Sequence, residues 1–179
     1  KSFSQDVELL RCIKTMTPLS FGGGIRNLQH IELLKGLPVE RLIFSTAFLN
    51  EDKKLIDTAA NLFGMQAIQC ILPFKYSNGR LEVFNSAMGV FAPFTSCNSA
   101  FIDAHSNEII LYDVNGEGQP NAFACSVLDE VPFKKAKIII SGGIGKNSIS
   151  SALKNNIASV LIENRILHSE YSVKGYKNV

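Results

Sequence analysis

Short apolar runs and amphipathic stretches alternate along this chain of 179 residues. Over residues 4–16 (SQDVELLRCIKTM), Val7, Leu10, Ile13 and Lys14 recur at helical spacing behind a Ser4/Asp6 start, and Thr17-Pro18 predicts the stop. LSF at 19–21 runs into Gly22-Gly23-Gly24. A helix is expected over about 27–36, opened by Asn27 and closed by Gly36, followed by a buried strand at 41–46 (RLIFST). The spacing then predicts a helix over 50–64, with Asn50 as its N-cap, acids in its first turn and Gly64 at its end. QAIQCIL (66–72) reads as the next strand.

Residues 75–97 break this rhythm. Asn78-Gly79, flanked by alternating residues, predicts a hairpin, whereas FNSAMGVFAPFTSCNSAF has no clean period. Beyond it, EIILYDV (108–114) predicts a strand, NGEGQPN a glycine-rich loop, and 122–130 a helix. KIIIS (137–141) predicts a strand ending in Gly142-Gly143, 147–156 a helix, and ASVLIE (158–163) a last strand. Six core strands, near residues 19, 42, 68, 110, 138 and 160, thus alternate with helices, which implies βα units, a parallel sheet and one domain over 1–179.

Composition narrows the function classes. The 18 basic and 16 acidic residues leave a net charge of +2 and form no basic stripe, which argues against nucleic-acid and membrane partners. Twelve Phe and no Trp sit within apolar runs, the pattern of core packing. Four cysteines (Cys12, Cys70, Cys97, Cys125) and three histidines (His30, His105, His168) are dispersed and match no metal-ligand spacing. With no signal peptide and no apolar run of about 18 residues, reduced, buried thiols in a cytoplasmic protein are expected, with no metal and no cofactor. The chain begins with Lys, so it reads as a piece of a longer one.

Candidate chemistry lies in two glycine clusters, SFGGGIR (20–26) and ISGGIGK (140–146), each directly after a strand. Glycine lets backbone N–H groups approach an anion, and the following helix N-terminus favours negative charge. Neither cluster has Walker or dinucleotide spacing. A tight turn explains one such cluster as well as a ligand does; two argue for a ligand with two anionic ends, bound where barrel sites are built, at the C-terminal edge of the strands.

The order SFGGGIR, RLIFSTAF, FGMQAIQ, NEIILYDVNGEG, ISGGIGK and ASVLIENRILH resembles the cyclase subunit of imidazole glycerol phosphate synthase and its paralogues in surface-sugar gene clusters. The similarity runs from about residue 4 to 170. It implies a (β/α)₈ TIM barrel, here N-terminally incomplete with about six of eight strands, beginning after strand two. It also implies ammonia delivered by a glutaminase partner, and closure of an imidazole ring on a bis-phosphorylated ribotide. Carried over, one phosphate would meet Gly23 and Gly24 with Ser45 and Thr46. The other would meet Gly118, Gly142, Gly143, Asn164 and Arg165. The family has small residues at the last two positions, so Arg165 either strengthens the grip or fills the pocket.

The acid/base chemistry departs from the family. One aspartate, at the end of the first strand, would lie before residue 1; the second aligns with Pro73, which can neither give nor take a proton. Glu117 stands where the family has a loop aspartate, and Asp113 offers a second carboxylate; a solvated, turn-forming loop is the alternative for both. Glu40, Arg41 and Glu108 keep the family's charge sign on the partner-docking face, or else are ordinary surface charge. Two readings stay open besides the cyclase: a catalytically impaired paralogue acting as a ligand- or partner-binding scaffold, and a phosphosugar isomerase on the same scaffold.

Overall fold

The computed structural model describes residues 3–162. In chain order the elements are α1 (Phe3–Cys12), β1 (Ser20–Gly22), α2 (Leu28–Leu34), β2 (Arg41–Phe44), α3 (Thr46–Leu49), α4 (Lys53–Phe63), β3 (Ile68–Ser77), β4 (Arg80–Asn85) and β5 (Val90–Pro93). Then follow α5 (Ser99–His105), β6 (Glu108–Asp113), α6 (Val127–Glu130), β7 (Ile138–Ser141), α7 (Lys146–Lys154) and β8 (Ser159–Leu161). The six expected core strands are β1, β2, β3, β6, β7 and β8. Two compact units divide the described residues, 3–70 with 100–107 and 71–99 with 108–162. The sequence carries no linker there because the boundary falls inside β3.

In the first unit β1, β2 and the start of β3 pair in parallel, with Gly22 opposite Ile43 and Phe44 opposite Cys70. Leu42, Phe44, Ile68 and Cys70 are buried along these strands, and α2, α4 and α5 bring Ile31, Leu34, Leu55, Ile56 and Ile102 to the core. Each such side chain contributes about 1.5–3 kcal/mol by leaving water. The N-cap of α4 is Asp52, whose carboxylate accepts from Leu55 N at 3.1 Å, and not Asn50. Residues 46–49 wind into the separate α3, which makes Asn50 a C-cap and delays the next helix. The first helix stops at Cys12, short of the expected 16, so Ile13 is exposed and Cys12 is not a buried thiol. Cys70 is buried as expected; Cys97 and Cys125 are half-buried.

In the second unit the strand order is β3-β6-β7-β8. Parallel pairing sets Ile110 opposite Ile139 and Ile140 opposite Val160. Ile109 to Leu111 and Ile138 to Ile140 are buried at consecutive positions, the mark of strands covered on both faces. The later half of β3 pairs antiparallel with β4 instead, Phe74 opposite Val83, around the expected turn at Asn78 (φ 51°) and Gly79 (φ 71°). β5 completes the meander. Pro73 precedes Phe74, the first β3 residue to pair with β4, so its missing N–H interrupts no rung of that ladder. The helix expected over 122–130 shrinks to α6 because the backbone of Phe123 and Ala124 is bonded elsewhere, to Gly143 O and to the Asp113 carboxylate.

The capping assignment has a direct test. Asp52→Ala is expected to cost about 1 kcal/mol in urea denaturation, and Asn50→Ala a few tenths at most.

Candidate functional site

The first glycine turn follows from the approach of β1 to β2. A Cβ on Gly22 would lie 2.7 Å from Ile43 Cβ, so only glycine fits. Gly23 (φ 94°) and Gly24 (φ 76°) then turn through the left-handed region, where side chains are strained. Both are exposed, and nothing lies within 4 Å of a Cβ built on Gly23. Because Gly22 is in register with Ile43, the loop after β2, which carries Ser45 and Thr46, leaves the sheet at the same edge as this turn. The Ser45 carbonyl accepts from Phe48 N and Leu49 N, but its Oγ is buried without a hydrogen-bond partner. Leaving such a group unsatisfied costs about 1–3 kcal/mol.

A cavity of about 180 Å³ is walled by Ile25, Arg26, Thr46, Ala47, Asn50 and neighbouring residues. Arg26 adds a cation that sequence reasoning did not single out, although it closes the quoted GGGIR motif. The turn itself is pinned from behind. Asn27 caps α2 by accepting from His30 N at 2.9 Å, and the His30 ring stacks on Phe3 at 3.9 Å. Its Nδ1 lies 2.9 Å from Gly24 O and 3.3 Å from Arg26 N, donating to the first in one tautomer and accepting from the second in the other.

The second glycine turn is used differently. Gly142 and Gly143 are buried. A Cβ on Gly142 would come within 2.2 Å of Asp113 O, and one on Gly143 within 2.7 Å of Gly116 O. The segment 113–123 is seated on them, and Phe123 N donates to Gly143 O at 3.2 Å. These glycines are therefore explained by chain packing, and the open amides expected of them are covered. Asn121 Oδ1 accepts from Asn147 N at 2.9 Å, capping α7 from this same segment.

Asp113 organises that segment. It is 2% exposed; its Oδ1 accepts from Asn115 N and Gly116 N at 3.0 Å and its Oδ2 from Ala124 N at 2.9 Å. Asp113 was expected as a catalytic group, but the structure places it as a loop anchor, with its oxygens facing backbone donors. Glu117 stays exposed at the loop, with Gly118 (φ 74°) half-buried after it. Glu40 is exposed just before β2, Arg41 and Glu108 are half-buried first residues of β2 and β6, and Asn164 and Arg165 lie outside the described residues.

One titratable contact was not foreseen. Tyr76 Oη donates to Glu130 Oε1 at 2.6 Å. Burial first, then this bond to a carboxylate, pushes the phenol up to about 12. Among the described residues no three His, Cys, Asp or Glu side chains gather to hold a metal ion, and no helix is long and apolar enough to cross a membrane.

The family profile described as "Histidine biosynthesis protein" matches residues 4–172. The chain belongs to this family. Its fold is the TIM barrel, of which this chain supplies about six parallel strands. A Campylobacter jejuni protein provisionally named as a subunit of imidazole glycerol phosphate synthase is 28% identical over 162 residues, covering 89% of this chain and 65% of its own length. The Exiguobacterium imidazole glycerol phosphate synthase subunit HisF is 28% identical over 161 residues, 87% of this chain and 61% of its own. A Leptospira biflexa protein named as an imidazole-4-carboxamide isomerase is 27% identical over 134 residues, 73% of this chain and 53% of its own. The chain thus spans between about half and two thirds of the length of these curated relatives.

The Tyr76 bond sets an alkaline limit. Since the folded-state value lies above the unfolded one, its contribution is full below about pH 10 and is lost as pH rises through about 12. Thermal melts across that window should show Tyr76→Phe losing less stability with rising pH than the parent. Asp113→Ala, which strands three backbone amides, is expected to cost about 2–4 kcal/mol in the same measurement at neutral pH.

Proposed function

We propose that the chain is a cyclase-type subunit that grips a phosphorylated ribotide at the Gly23-Gly24 turn and receives ammonia from a glutaminase partner. The observation that carries this reading is the open turn itself, exposed left-handed glycines beside a buried Ser45 Oγ that lacks a partner. Relatives named as imidazole glycerol phosphate synthase subunits support this reading. In it the chain closes an imidazole ring on a bis-phosphorylated substrate, in histidine or surface-sugar biosynthesis. One phosphate is held by the amides of Gly23, Gly24 and Thr46 with the Ser45 hydroxyl, and Arg26 balances its charge.

The second phosphate is assigned to Gly118, Gly142, Gly143, Asn164 and Arg165. Reaching the two buried glycines requires the segment 113–123 to lift, which breaks the Phe123–Gly143 bond and the Asn121 cap. Glu117 is the one loop carboxylate free to move a proton, while Asp113 positions it from below. Glu40, Arg41 and Glu108 serve the partner face.

A second reading, a phosphate-ligand-binding scaffold without turnover, is favoured by Pro73 at the family's second acid position. One set of assays separates the two. Isothermal titration with ribose 5-phosphate should show saturable binding that weakens about tenfold in Ser45→Ala, the loss of one charge-assisted hydrogen bond. At high ammonia the cyclase reading requires ring closure that Glu117→Gln slows at least about a hundredfold, the scale of a lost general acid or base. Binding without turnover selects the scaffold. No saturable phosphate binding sinks both.

A further inference from the structure

The turn of the proposed anion seat leans on one side chain that has two hydrogen-bonding states. Nδ1 of His30 faces both Gly24 O, at 2.9 Å, and Arg26 N, at 3.3 Å. A ring nitrogen that carries a proton only donates, and one without a proton only accepts. Two backbone groups of the turn therefore compete for a single atom. With a proton on Nδ1 the Gly24 carbonyl is bonded and the Arg26 amide is released; without it the reverse holds. The rest of the residue is fixed. His30 N donates to the Asn27 side chain, and the ring stacks on Phe3 of α1 with 3.9 Å between centroids and 8° between planes. Phe3 in turn stands edge-on to Phe21 of β1 at 5.9 Å. The ring is half-buried there, while Gly24 and Arg26 are exposed.

We propose that His30 is a positioning residue of this seat and that a proton on its ring tightens the grip on an anion. The inference rests on the reading of the Gly23-Gly24 turn as the seat. Three effects act in the same direction. The protonated ring holds the Gly24 carbonyl and so braces the left-handed turn. It gives up the Arg26 amide, which becomes a further donor to the anion. It also sets a positive charge one hydrogen bond behind the turn, where it adds to that of Arg26. Imidazole is the side chain that gains its proton between about pH 8 and pH 5. Few charged groups lie on the elements around the ring. Asp6 is one turn beyond Phe3 on α1, Arg26 is on the turn itself, and Glu32 is two residues on in α2. Among the described residues none of these side chains pairs with the ring. Glu8 and Arg11 of α1 pair with each other at 3.2 Å.

The probe is inorganic sulfate, which stays divalent across this range, whereas a phosphate monoester gains a proton at about pH 6. Amide-resolved NMR of the whole chain gives its affinity at about pH 8 and about pH 5.5. The parent should bind at least about fivefold more tightly at the lower pH, the scale of one nearby, partly screened charge. In the ligand-free chain the Arg26 amide should move along the same pH curve as the His30 ring. His30→Phe keeps the stack on Phe3 and loses both bonds, so its affinity should differ less than about twofold between the two pH values. His30→Gln, whose amide can donate to Gly24 O and does not titrate, should bind more tightly than His30→Phe and be as insensitive to pH. Thermal melts verify that both variants fold. Equal affinity of the parent at both pH values, or a pH dependence that His30→Phe retains, overturns the role of His30 and leaves the seat standing. Sulfate that shifts neither Gly23 nor Gly24 at either pH removes the seat, and this inference with it.

Discussion

The carboxylate of Asp113 closes the end of β6 by accepting from three backbone amides spread between Asn115 and Ala124. Much of the second unit's geometry depends on that clasp. A parallel strand cannot turn directly into its neighbour, so each leaves through a loop whose amides need partners. Here one buried carboxyl group supplies three of them. With the segment so held, Phe123 reaches Gly143, Asn121 reaches the first turn of α7, and residues 122–126 are withdrawn from the helix their sequence suggests. Removing that side chain would unseat the segment.

Two glycine turns of similar appearance in sequence therefore do different work. In GGGIR the close approach falls on Gly22, against Ile43, and leaves the next two glycines open. In SGGIG the close approaches fall on Gly142 and Gly143 themselves, against the backbone of 113 and 116. Both satisfy the same rule, that glycine stands where a Cβ has no room or φ is positive. The rule does not say whether the space is filled by the chain or kept for a ligand. Only the neighbouring loop decides, and over Gly142 and Gly143 its course is set by Asp113.

The six core strands, the Asn78-Gly79 hairpin, the Asn27 cap and the Gly64 stop were legible because each depends on residues adjacent in sequence. The departures come from winding that the local pattern does not show or from distant partners. Asn50 reads as a cap until residues 46–49 wind into a turn of their own, which leaves the capping to Asp52. Asp113 reads as a catalytic acid until its oxygens are seen to face backbone donors from up to eleven residues away. Tyr76 offers no signal at all, since its partner Glu130 lies 54 positions on. Ser45, which the family resemblance set with Gly23 at one phosphate, has a buried hydroxyl without a partner, and no local sequence signal shows that burial.

We propose that the open turn of the first unit seats an anion without rearrangement, whereas the second turn stays closed by its own chain until residues 113–123 lift. Amide-resolved NMR during titration with ribose 5-phosphate tests it most directly. The account predicts that the amides of Gly23, Gly24 and Thr46 shift saturably at the lowest ligand concentrations, while those of Gly142 and Gly143 stay fixed. Shifts that begin at Gly142 and Gly143, with Gly23 and Gly24 unmoved, would contradict it.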